Sequence, residues 1–129
     1  MGRTVLWDFN GTLYDDVETA LRCINTLLER RGLAILPDAE AYRRIFGFPV
    51  RDYYVRAGID FARESFEVVG AEWFALYEAL SPSVGVREGV REAMRAFREA
   101  GFADVALFGE PTGRSALCGL HCIVGRKAS

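Results

Sequence analysis

The chain has 129 residues, of which 50% are hydrophobic and 26% charged, a globular composition suited to one domain or a domain carrying a small insertion. A net charge of −2 gives no reason to expect a nucleic acid or an acidic membrane as partner. No apolar run nears the roughly 20 residues of a membrane span, the start "MGRTVLWDF" lacks the order of a secretion signal, and three cysteines (Cys23, Cys118, Cys122) fit a reducing compartment, so a cytoplasmic protein is expected.

In chain order, "RTVLW" at 3–7 is β-branched and apolar without alternation, as in a parallel strand covered on both faces. Gly11 ends it, and the carboxylates Asp15 and Asp16 supply a helix N-cap. Val17, Ala20, Leu21, Ile24, Leu27 and Leu28 recur at helical spacing up to a stop at Gly32. Pro37-Asp38 opens a short helix through Ile45, "GFP" at 47–49 breaks it, and Pro49 begins another that Gly58 ends. A further helix is predicted from Asp60 to about Leu80, with Gly70 as a candidate interruption, followed by a linker, "SPSVG", at 81–85. Residues 86–100 put Val86, Val90, Ala93, Met94 and Phe97 on one face of a helix, Gly101 caps it, and "ADVALF" at 103–108 reads as a second strand. The glycine-rich tail has room for a short helix near 114–118 and a strand near 120–124.

A carboxylate at the tip of a buried strand, followed by a glycine turn, has a chemical use. Ligands of open α/β sheets bind outside the carboxyl ends of the strands. A carboxylate there can attack phosphorus and form an aspartyl-phosphate, provided a cation offsets the repulsion between two anions. Asp8 stands at that place.

The string "VLWDFNGTLYDD", residues 5–16, resembles the first signature of the haloacid dehalogenase superfamily, an apolar strand followed by Asp-x-Asp-Gly-Thr-Leu/Val. The resemblance extends over residues 1–108. It implies an α/β fold with a Rossmann-type parallel sheet, incomplete in this chain, and an inserted α-helical cap. The core would take residues 1–15 and 82–129, and residues 16–81 would form a C1 cap, as in the phosphoglycolate-phosphatase-like branch. Asp8 would then be nucleophile and Mg2+ ligand, with the backbone carbonyl of Asn10 as the second protein ligand. Gly11 would provide the turn and Thr12 would stabilise the loop. The family's acid–base aspartate two places after the nucleophile is Asn10 here, and such help is worth roughly 10²–10⁴-fold. The substrate therefore needs a good leaving group, such as an acyl phosphate, or another group must shuttle the proton, or turnover is poor.

The other signatures are not where the family has them. The phosphate-binding Ser or Thr at the end of the second strand falls on Phe108, with Thr112 and Ser115 further along. The single lysine is Lys127, and no acidic residue follows Glu110. A natural truncation, an artificial end or a shifted reading frame would each account for this tail.

Around the motif, Arg43, Arg44 and Arg51 are candidates for a substrate oxyanion, with Arg51 counted among the site residues, and a solvated helix face is the simpler reading for all three. Trp73, Phe74 and Tyr77 read as cap core. Cys118-x-x-His121-Cys122 offers three ligands where structural zinc takes four, so small buried residues are the simpler reading. Two functions follow. One is a Mg2+-dependent phosphohydrolase of a small phosphorylated metabolite, acting through an aspartyl-phosphate. The other is a truncated, catalytically incompetent relative that binds or oligomerises, because two core strands need a second copy or a strand at 120–124 to cover them. A dehalogenase, which would need neither Mg2+ nor an acid at position 10, is a third.

Overall fold

In the computed structural model, which describes residues 2–108 and 122–127, the elements run β1 (Arg3–Asp8), α1 (Val17–Arg30), α2 (Ala39–Ile45), α3 (Val50–Arg56), α4 (Phe66–Leu80), α5 (Val90–Glu99), β2 (Phe102–Phe108) and β3 (Cys122–Lys127). They divide into two compact units, Met1–Asp16 with Val84–Ser129, and Val17–Ser83.

In the first unit the strands form one sheet in the order β1-β3-β2. Here the structure departs from the parallel sheet implied by the sequence. β1 and β2 point the same way, but β3 lies between them and runs antiparallel to both. The tail strand supplies ladder partners for backbone groups that β1 and β2 would otherwise leave open. Antiparallel pairing asks only that the chain reverse, whereas a parallel neighbour requires a crossover of a dozen or more residues. The strand near 120–124 is thus present but shifted to 122–127, while the helix near 114–118 lies outside the described residues. Phe97 of α5 packs edge-on against Trp7 of β1 at 5.5 Å between ring centroids and lies 4.9 Å from Phe102 of β2. That contact uses the apolar stripe of α5, as its spacing predicts.

α5 starts at Val90 rather than at 86. The physical reason is competition for backbone. Val86 bridges to Tyr14, and the Arg87 N–H donates to the Leu13 carbonyl at 2.9 Å, so residues 85–87 serve the loop after β1 before a helix begins. Gly89, at φ 80°, makes the left-handed step into the helix.

The second unit is helical and has its own core: Ala20, Leu21, Ile24, Leu27 and Leu28 of α1 meet Tyr42, Tyr53, Tyr54, Ile59 and Val69. Two Schellman closures turn the chain. Leu33 N–H returns to the Leu28 carbonyl around Gly32, and Ile59 N–H returns to Tyr54 around Gly58. Asn25 pins the following loop by a two-way bond with the backbone of Leu36, both at 2.9 Å. α4 begins at Phe66, later than the apolar spacing suggests. Asp60 caps a separate turn by accepting from Ala62 N–H, and Ser65 takes the N-cap by accepting from Val68 N–H. Gly70 does not interrupt α4 and is buried within it.

Arg31 ties these helices together. Its guanidinium forks onto Glu64, reaches Glu72 at 2.7 Å and donates to the Leu27 carbonyl at 2.9 Å. The fork holds Glu64 below the usual carboxylate range. Burial pushes Glu72 up, but the bonds from Arg31 and Arg30 outweigh it and the net shift is downward.

The core contains groups that stay protonated. Burial pushes the Cys23 thiol up to about 11 against the pull of Arg22, and burial raises the phenols of Tyr53 and Tyr54 further. Unfolded, these groups lose their protons from about pH 8.5 to 10. Their contribution to stability is therefore complete below that range and declines as pH rises through it. Alkaline titration is expected to melt the helical unit above about pH 9. Phenolate absorbance should then show one fraction of the tyrosines ionising normally and another ionising only with the loss of circular dichroism. Ionisation of every tyrosine before any helix is lost would contradict this.

Candidate active site

β1 delivers Asp8 to its carboxyl end, where the side chain is exposed. A tight turn follows. The N–H groups of Thr12, Leu13 and Tyr14 all converge on the Phe9 carbonyl at 3.3, 2.9 and 2.9 Å. Gly11 makes this possible with φ 71°, a conformation in which a side chain would be strained. The turn folds Thr12 back on the strand tip, so that its hydroxyl donates to Asp8 Oδ2 at 2.9 Å. Phe9 and Tyr14 stack across it, 5.2 Å between centroids and 16° from parallel.

A second layer of bonds fixes the loop. Asp16, 5% exposed, is the buried carboxylate among the described residues. Its Oδ2 accepts from the Asn10 side-chain amide at 2.8 Å, and its Oδ1 accepts from the Gly11 N–H at 2.7 Å. Burial, with a smaller push from Asp16, raises the phenol of Tyr14. Arg87 donates from Nη1 to the Gly11 carbonyl at 3.0 Å and approaches Asp15 Oδ1 at 3.6 Å, while Asp15 N–H bonds to the Gly85 carbonyl at 2.9 Å. The loop after β1 is therefore braced at both ends by its own unit.

The first unit brings Asp8, Asn10, Gly11 and Thr12 into this one loop. Arg51 belongs to the helical unit, where its guanidinium sits 4.9 Å above the ring of Phe61. Arg44 is exposed and pairs with Glu40 at 3.4 Å, and Trp73 stacks on Tyr77. Two residues escape sequence reasoning. Asp16 reads as a helix cap but reaches back six positions to the loop, and Arg87 reads as one more charge on a helical face. A buried acid beside a glycine turn leaves no periodic trace.

A family model for haloacid dehalogenase-like hydrolases matches residues 5–104. The chain belongs to that family. No curated protein and no solved structure matches it. The register of the sheet places the strand ends of this haloacid dehalogenase-like hydrolase relative to one another. Asp8 and Phe108 both lie opposite Cys122, so the two core strands end at the same edge, and the second ends on a residue without a hydroxyl. Lys127 lies opposite Arg3, at the other end of β1. Arg3 and Asp8 stand five residue steps apart along β1, about 17 Å of backbone. Thr112, Ser115, Cys118 and His121 fall outside the described residues.

Proposed function

We propose that this haloacid dehalogenase-like hydrolase is a cytoplasmic phosphohydrolase of a small phosphorylated metabolite with a good leaving group. Asp8 supports this reading most directly: an exposed carboxylate at the carboxyl end of a strand, with one oxygen held by Thr12. The other oxygen attacks phosphorus, the bond to the leaving group breaks, and water then releases phosphate from the Asp8 acyl phosphate and restores the carboxylate. The Thr12 bond keeps the carboxylate in one orientation during attack.

The donor set fits a magnesium ion. The Asp8 carboxylate and the Asn10 backbone carbonyl are hard oxygens, and magnesium usually takes one or two carboxylates and completes its shell with water and substrate. When bound, the ion neutralises charge between nucleophile and phosphate. The unit Val17–Ser83 takes the part of a C1 cap of the phosphoglycolate-phosphatase-like kind, with Arg51 as its candidate for a substrate oxyanion. Among the described residues no helix is long and apolar enough to cross a membrane.

The test is magnesium-dependent release of phosphate from acetyl phosphate. Activity above background that falls to background in Asp8→Asn supports the hydrolase, and equal rates in both proteins refute it. A second reading is a non-catalytic relative that binds phosphorylated ligands or its own copies. The position of Lys127 and the absence of a hydroxyl at Phe108 favour it, and it predicts no turnover by the wild-type chain.

A further inference from the structure

The asparagine two places after Asp8 has a partner that explains it. Asp16 is 5% exposed, and a buried carboxylate must be given hydrogen-bond donors. Asn10 and Gly11 give it two, at 2.8 and 2.7 Å. An aspartate at position 10 would set acceptor against acceptor across that gap. An amide there donates instead, and in doing so turns its side chain onto Asp16. The same carboxylate grips the N–H of Gly11, the residue whose left-handed backbone brings Thr12 back to Asp8. The chain Asp16–Gly11–Thr12–Asp8 is thus continuous in hydrogen bonds and backbone.

We propose that Asp16 is a positioning residue of the Asp8 loop, acting through Asn10 and Gly11, and that the Asn10–Asp16 pair sets the leaving-group preference of the site. Position 10 carries an amide because position 16 carries the acid. With the amide of Asn10 committed to Asp16, the leaving group departs without a proton from this position, so the pair selects esters whose leaving group is a stable anion. The second half of this inference rests on the hydrolase reading; the first does not.

A thermal-unfolding cycle of the full chain tests it, with wild type, Asn10→Asp, Asp16→Asn and the double exchange. Asn10→Asp is expected to lower Tm by about 3–6 °C. Asp16→Asn is expected to lower it less, because the Asn10 amide can reverse. The exchange Asn10→Asp/Asp16→Asn restores a donor facing an acceptor and should recover at least half of the Asn10→Asp loss. If the two losses simply add in the double variant, the pairing is overturned. Should Asn10→Asp fail to fold, the alanine cycle at both positions replaces it: a double variant no less stable than the worse single supports the pair, and additive losses overturn it.

The second readout is the ratio of glycerol phosphate to acetyl phosphate turnover, which a merely structural pair would not move. The exchange, which carries the acid to position 10, is expected to raise that ratio by about 10²-fold. An unchanged ratio with recovered stability overturns the leaving-group half alone. Absence of turnover in every protein, wild type included, refutes the hydrolase reading and the leaving-group half with it, while the Tm cycle still decides the positioning role.

Discussion

Acetyl phosphate should be hydrolysed with a kcat/KM exceeding that for glycerol phosphate by about 10²–10⁴-fold beyond the difference in their uncatalysed rates. An alkoxide leaves phosphorus only with a proton in hand, and the family's aspartate supplies one from position 10. Here Asn10 cannot donate that proton usefully, and its amide is bonded to Asp16 at 2.8 Å. Acetate is a stable anion and needs no such help, so the missing acid costs little with an acyl phosphate and much with an alkyl one. The measurement is a series of phosphate esters of graded leaving-group pKa, with Asp8→Asn as the blank. A steep dependence on leaving-group pKa is expected. A flat one would mean that another group in the chain donates the proton.

Truncating the centre of the helical unit should have the largest effect on stability. Leu27 is fully buried in α1 among Ile24, Leu28, the tyrosines of α2 and α3, and Val69 of α4. Leu27→Ala removes that packing and leaves a cavity that a close-packed interior fills only in part, a loss of about 2–5 kcal/mol. Set against a net stability of about 5–15 kcal/mol for whole domains, this is a large share for a unit of this size. Val68, on the same α4 as Val69 but 59% exposed, serves as the control, and Val68→Ala should change stability by no more than about 0.5 kcal/mol. Urea unfolding followed by far-UV circular dichroism measures both. Similar values for the two variants would show that the core is not where the tyrosines and leucines place it.

How much of this is legible in the residues depends on whether the signal is local. α1 is legible because Val17, Ala20, Leu21, Ile24, Leu27 and Leu28 repeat at three and four positions and Gly32 closes the helix in a left-handed turn. The start of α4 is not. The apolar residues suggest one helix from Asp60, but Asp60 and Ser65 each claim nearby N–H groups and cut the segment in two. At the site, the carboxylate on the strand tip and the glycine beyond it are plain in "WDFNG". The bond from Asn10 to Asp16 is not, because it exists only once three N–H groups have closed on the Phe9 carbonyl and brought position 16 alongside position 10. The sheet is legible strand by strand and illegible in order. Neither the apolar run at β1 nor that at β2 says which neighbour it will find, and the glycine-rich tail gives little sign of standing between them.

That central place of β3 dictates a sequence of events in time. β1 leaves the ribosome more than a hundred residues ahead of β3, the strand it pairs with. The helices of Val17–Ser83 close through contacts near one another along the chain and assemble early. The strand that carries Asp8 waits with its backbone donors and acceptors facing water until β3 emerges and supplies its ladder. A nascent chain stalled before Cys122 would hold a finished helical lobe and an Asp8 strand without a sheet.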